Sequence, residues 1–156
     1  MVTWQEFEER APDMADAVRA RLTAHRHHVL ATLRADGSPR VSGTELDWRG
    51  ADLVLGSMPR SRKALDLRRD GRCAVHADPA DELADGPDCK LAGTAVEVTG
   101  AEHREWVAQV RPPSADSHLF RLDLAEVVTT GLSPERTHLV IRRWTPDRGV
   151  EEHHRT

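Results

Sequence analysis

The segment Ser57-Met58-Pro59-Arg60-Ser61-Arg62-Lys63 gathers cations and hydroxyls where a helix should begin. Ala64, Leu65 and Leu67 follow at helical spacing, Ser61 suits the cap, and Gly71 is placed to end the helix. A helix N-terminus already holds about half a positive charge, so cations there are disfavoured by roughly 0.3–1 kcal/mol each. This chain nevertheless sets Arg60, Arg62 and Lys63 at that point. A bound anion removes the conflict. Free backbone N–H groups, the Ser57 and Ser61 hydroxyls, an arginine fork and a lysine point charge are the ordinary parts of a phosphate site. Charge alone leaves a second reading open, a solvated basic face that falls at a helix start. Arg68 and Arg69 carry less weight, because cations at a helix C-terminus are favourable without a ligand.

Arg40-Val41-Ser42 forms a second group. It opens a strand, and the following Gly43 lacks a Cβ, so a flat ligand could approach the backbone there. A glycine in a strand also marks a bulge, and both readings stand.

The elements that must position these residues can be read along the chain. Thr3-Trp4-Gln5-Glu6 is a capping box that starts a short helix. Pro12 suits the first turn of a second helix, which carries Met14, Val18 and Leu22 and ends near His25. Strands are expected over 28–34, 39–48 and 52–57, the first two joined by an Asp36-Gly37 turn, and the three read as an antiparallel meander. After the basic helix come strands over 72–78 and 89–99, separated by an acidic loop over 79–88. A helix over 101–110 stops at Pro112-Pro113. Strands over 120–130 and 137–144 close the pattern, and a polar tail begins at Thr145. The expectation is a mainly β, α+β chain with six to seven antiparallel strands that close into a barrel. It forms one domain, with a helical lead-in over 1–25, a barrel over 26–146 and a polar tail over 147–156.

Composition narrows the function classes. A formal net charge of -4 opposes general nucleic-acid binding, which needs a basic surface to displace counterions. No apolar run approaches the roughly 20 residues that span a bilayer, and the acidic N-terminus lacks a signal-peptide pattern, so the chain reads as cytoplasmic with no membrane partner. Cys73 and Cys89 make neither a disulfide scaffold nor a zinc spacing. His25, His27, His28 and His76 invite a metal reading, but no Asp or Glu accompanies the first three at ligand spacing, so no metal site is assigned. His153 and His154 fall in the polar tail. Trp48, Trp106 and Trp144 read as packing residues, with Trp144 a candidate for lining a pocket.

Two motifs carry a resemblance. Leu30-Ala-Thr-Leu-Arg-Ala-Asp-Gly-Ser-Pro-Arg-Val-Ser42 resembles the opening hairpin of the pyridoxamine 5′-phosphate oxidase-like, FMN-binding split-barrel family. Leu55 to Asp70, followed by Arg72-Cys-Ala-Val75, resembles its third strand, phosphate-binding turn and helix. Actinobacterial flavin and deazaflavin oxidoreductases of this superfamily share the arrangement, and the likeness covers about residues 25 to 146. It implies a split β-barrel homodimer with FMN, or alternatively the deazaflavin coenzyme F-420, at the subunit interface. Lys63 and Arg62 would hold the phosphate with Ser57 and Ser61. Arg40, Val41 and Ser42 would lie along the ring system, and Met58 and Arg60 complete the cofactor-binding set. Enzymes that oxidise pyridoxamine phosphate carry an Arg- and Trp-containing C-terminal motif, which the stretch from Trp144 to Thr156 does not match. The implied function is hydride transfer between the cofactor and a small organic substrate. The alternatives are a non-catalytic cofactor carrier or sensor of the same fold, and a haem-binding protein. No catalytic residue is named, since such cofactors supply the hydride chemistry themselves.

Overall fold

In the computed structural model, which describes residues 1–79 and 81–156, the Thr3 hydroxyl accepts the Glu6 N–H at 3.1 Å. The helix it starts, α1 (Trp4–Arg10), buries Trp4 and Phe7. Pro12 opens α2 (Pro12–Ala24), which buries Met14, Ala15, Val18 and Leu22. Both helices pack into the core of an antiparallel sheet, and the fold is α+β.

The first strand, β1 (His28–Leu33), turns His28, Leu30 and Thr32 inward and leaves Val29 exposed. The Asp36 carboxylate accepts the Ser38 N–H at 2.9 Å, which tightens the turn into β2 (Pro39–Thr44). The structure corrects the expected single strand over 39–48. The chain breaks at Glu45 into β2 and β3 (Leu46–Arg49), because the halves pair with different neighbours: β2 with β1, and β3 with β4 (Asp52–Ser57). The expected three-strand meander is therefore two separate hairpins.

The basic helix is α3 (Arg62–Arg69). Next comes β5 (Arg72–His76). The expected acidic loop follows, carrying a short 3-10 turn over Leu83–Asp85, and Ala80 in it lies outside the described residues. The remaining elements are β6 (Asp88–Glu97), α4 (Gly100–Val110), β7 (His118–Leu132), β8 (Leu139–Thr145) and β9 (Gly149–Arg155). Strand order is β2-β1-β5-β6-β7-β4-β3, seven strands whose two ends are consecutive in the chain through Glu45. The sheet thus curls back on itself, as a split barrel does. Leu30, Leu53, Leu55, Val75, Leu91 and Phe120 fill its core.

Beyond this path, β8 pairs with β7 and β9 pairs with β8. The polar tail expected over 147–156 is in fact mostly the ninth strand. Its polar side chains find cross-strand partners, such as Arg142 with Glu152 at 2.9 Å.

Two glycines act through close approach. A Cβ at Gly93 would lie 2.0 Å from Asp123 O, at the bulge where the β6–β7 register shifts. A Cβ at Gly71 would lie 2.5 Å from Ala95 O. The helix itself ends at Asp70 in extended geometry, so Gly71 serves strand packing rather than a left-handed cap.

Candidate functional site

Strand β4 delivers Ser57, which is buried, to the start of the basic turn. The Ser61 N–H donates to Met58 O at 3.2 Å and closes the turn, with Arg60 in the left-handed region at φ 53°. The Ser61 hydroxyl caps α3 by accepting the Ala64 N–H at 3.2 Å and sits 2.5 Å from the Ser57 hydroxyl. Ser61 O accepts the Leu65 N–H at 3.0 Å. The backbone N–H groups of Arg62 and Lys63 then have no acceptor among the described residues. They are the unpaired donors that every helix start presents.

The cations around them are equally open. Arg60 and Arg62 are exposed, and among the described residues neither side chain has an ion-pair partner. Lys63 is half-buried and donates from Nζ to Gly43 O at 2.7 Å. Burial pulls its ammonium below the usual lysine range, with Glu45 opposing the shift. The lysine thus carries a partly desolvated charge that feels Glu45 but makes no ion pair among the described residues.

Arg40 reaches the same helix from β2. Its Nε donates to the buried Asp66 of α3 at 2.6 Å. Asp66 also accepts from the Thr32 hydroxyl at 2.8 Å and from Arg69 at 3.0 Å. Burial alone would raise the Asp66 carboxyl, but the hydrogen bonds from Arg40, Thr32 and Arg69 outweigh it and hold it below the usual range. Ser42 lies on the same face of β2 as Arg40, whereas Val41 is on the opposite face, 70% exposed. Met58 is as exposed as Val41. The structure thus gathers Ser57, Ser61, Arg62 and Lys63 at one helix start, with Arg40 tied to that helix through Asp66.

Three features of this region had no local sequence signal. A cavity of about 620 Å³ opens beside Lys63 and Ser57, with Gly43, Trp106, Val110 and Leu119 among its lining residues. Trp106, not Trp144, is the tryptophan on it, since Trp144 is wholly buried against Phe7. His118 lies across from Ser57 and accepts the Arg60 N–H at Nε2, 3.2 Å away. Glu97 stands behind His118 at 2.7 Å. His118 and Glu97 are brought in by pairing of distant strands, and Trp106 by α4.

The other candidates are engaged elsewhere. His28 is buried, its Nε2 2.9 Å from Leu22 O and its Nδ1 accepting the Asp78 N–H at 3.0 Å. His25 faces Asp78, His27 faces Glu45, and His76 faces Ala77 O. Among the described residues no three His, Cys, Asp or Glu side chains are grouped to hold a metal. Cys73 and Cys89 are free thiols, pushed by burial up to about 11 and about 12. At neutral pH they stay protonated and unreactive. No helix among the described residues is long and apolar enough to cross a membrane.

The family model described as pyridoxamine 5′-phosphate oxidase matches residues 14–131. No curated protein matches the sequence. Among solved structures the chain is similar to PhzG from Burkholderia lata 383, solved in complex with tetrahydrophenazine-1-carboxylic acid. The identity is 16% and the TM-score 0.67, over 94% of this chain and 88% of that one. It is also similar to a pyridoxamine 5′-phosphate oxidase-related, FMN-binding protein from Nostoc punctiforme PCC 73102, with 14% identity and a TM-score of 0.64 over 94% and 96% of the two chains. A protein described as an F-420 reductase aligns at 16% identity and a TM-score of 0.55, over 70% of this chain and 94% of that one. At such identities the likeness speaks for the fold alone.

Proposed function

Since the chain belongs to the pyridoxamine 5′-phosphate oxidase family, we propose that it seats the phosphate of FMN, or alternatively of the deazaflavin coenzyme F-420, at the start of α3. The observation that carries this reading is the pair of backbone N–H groups on Arg62 and Lys63 that lack acceptors, in a turn whose two arginine side chains also lack partners. A phosphate satisfies both deficits at once, as the FMN monoester with close to two negative charges at neutral pH or as the singly charged diester of F-420.

In this reading Arg62 and Lys63 bear the charge, and the Ser57 and Ser61 hydroxyls add hydrogen bonds. Arg40 is paired with and aimed by Asp66 through Nε, and its terminal nitrogens donate to nothing among the described residues. Ser42, Met58 and the β2 backbone near Val41 would border the ring system, and Arg60 closes the set. The adjoining cavity, lined in part by Trp106 and Leu119, would give the ring system an apolar wall on one side. Bound cofactor of this type supplies the hydride chemistry, and the chain supplies binding and orientation. The activity proposed is an oxidoreductase acting on a small organic molecule. A homodimer with the site at the subunit interface is part of the proposal. The exposed Val41 and Met58 side chains beside the seat support it, because a second copy would cover them.

Titration of the purified protein with FMN and with F-420, followed by fluorescence quenching, tests the reading. One of them is expected to bind at micromolar or tighter affinity. Lys63→Ala should weaken that binding about tenfold or more, the loss of a charge-assisted hydrogen bond. Binding of neither cofactor refutes the reading. Turnover of enones or quinones by the reduced, loaded protein separates an enzyme from a carrier.

A further inference from the structure

Arg60 is the strained residue of the phosphate turn. Its φ of 53° is a conformation that side chains rarely adopt. What holds it comes from another part of the chain. His118, at the start of β7, is the register partner of Ser57 at the end of β4. Its Nε2 accepts the Arg60 N–H at 3.2 Å, and its Nδ1 lies 2.7 Å from Glu97 Oε1. A backbone N–H only donates and a carboxylate only accepts, so these two contacts together select the neutral Nδ1–H tautomer. Glu97 is fixed in turn by Arg68, whose Nε is 3.0 Å from the second carboxylate oxygen. The His118 ring stacks on Phe120 at 28°, and its side chain is 11% exposed. It is therefore a held ring with both nitrogens assigned, next to the residues that would bind phosphate.

We infer that His118, oriented by Glu97, is the positioning residue of the phosphate seat: its unprotonated Nε2 accepts the Arg60 N–H and holds that turn in shape. The inference rests on the proposed cofactor reading. Glu97 on β6 and, behind it, Arg68 on α3 fix the ring, while His103 on α4 is occupied with Ser117 O at 2.7 Å. A side chain that keeps the stack on Phe120 but offers no acceptor leaves the Arg60 N–H without its partner, and the strained turn loses its tie to β7.

The experiment measures dissociation constants at about pH 8, above the ordinary imidazole range. It uses whichever of FMN and F-420 binds the wild type, beside the same ring system and ribityl chain without phosphate (riboflavin or the matching deazariboflavin). His118→Phe keeps the ring stack but has no acceptor. It should weaken the phosphorylated cofactor on the order of five- to tenfold and leave the phosphate-free analogue unchanged. His118→Gln, whose Oε1 can stand where Nε2 stood, should restore binding. Nitrogen-15 NMR of the free protein should show a proton on Nδ1 and none on Nε2. Wild-type affinity in His118→Phe overturns the inference, as does an equal loss for the phosphate-free analogue, or a proton on Nε2. A wild type that binds neither cofactor overturns the cofactor reading itself, and this inference with it.

Discussion

The start of α3 and the β8–β9 hairpin are both dense in arginine, and they treat it in opposite ways. In the hairpin three of the four arginines have a carboxylate, and only Arg155, at the end of β9, has none among the described residues. Arg142 meets Glu152 at 2.9 Å, Arg143 meets Glu126 at 2.5 Å and Glu151 at 3.4 Å, and Arg148 meets Glu151 at 3.6 Å. At the helix start, Arg60 and Arg62 have none among the described residues, and two backbone donors are also left open. The hairpin builds most of its counter-charges into the fold. In the proposed reading, the helix start leaves its own to a bound phosphate. Arg40 lies between the extremes, paired with Asp66 through one nitrogen only.

The sharpest way to break this contrast is to remove the one internal anion the seat depends on. Asp66 is buried and gathers Arg40, Arg69 and Thr32. Asp66→Ala should cost about 3–5 kcal/mol of stability, read by urea unfolding, since it strands a partly buried guanidinium. A loss under about 1 kcal/mol would mean that the helix is held by other contacts. The sign with pH follows from the carboxyl being held below its unfolded value of roughly 3.9. Its stabilisation is present above that value and is lost as pH falls through the folded one. The wild type should therefore lose more stability on acidification than Asp66→Asn.

A change at the open cation should separate stability from function. Arg62→Glu is expected to weaken the cofactor on the order of a hundredfold, from a lost charge-assisted hydrogen bond plus repulsion of the phosphate. The free protein should become more stable, by about 0.3–1 kcal/mol, because an acid suits a helix N-terminus. Calorimetry of both quantities checks this, and a destabilised free protein would show that Arg62 has a structural partner after all. The smallest effect belongs to the hairpin. Arg142→Ala should cost no more than about 1 kcal/mol, as exposed ion pairs do, and leave cofactor affinity unchanged. A change in affinity there would undo the distinction between the two regions.

What could be read from the sequence was what short stretches decide for themselves. The Thr3 cap, Pro12 at its helix start, the Asp36-Gly37 turn and the Ser61 cap all occur as expected. What could not be read depends on partners far away in the chain. The division of the 39–48 stretch at Glu45 is set by which strands flank each half. The last residues become a strand only because β8 offers them matching charges. Asp66 reads as an ordinary polar position on a helix until Thr32 and Arg40 arrive from β1 and β2. His118 and Glu97 carry no motif at all, and they matter here only because β4 pairs with β7 and β7 pairs with β6.

That last pairing has a kinetic consequence. The β1–β2 and β3–β4 hairpins close over short loops, whereas Ser57 meets His118 only when strands far apart in sequence come together. Local contacts form early and distant ones late, because the entropy of closing a long loop must be met first. The turn that would hold phosphate is thus expected to take its final shape late in folding. Interactions absent from the transition state slow unfolding and leave the folding rate almost untouched. A ligand at this seat acts as a latch on the finished barrel, with nothing to grip while the chain is still assembling it.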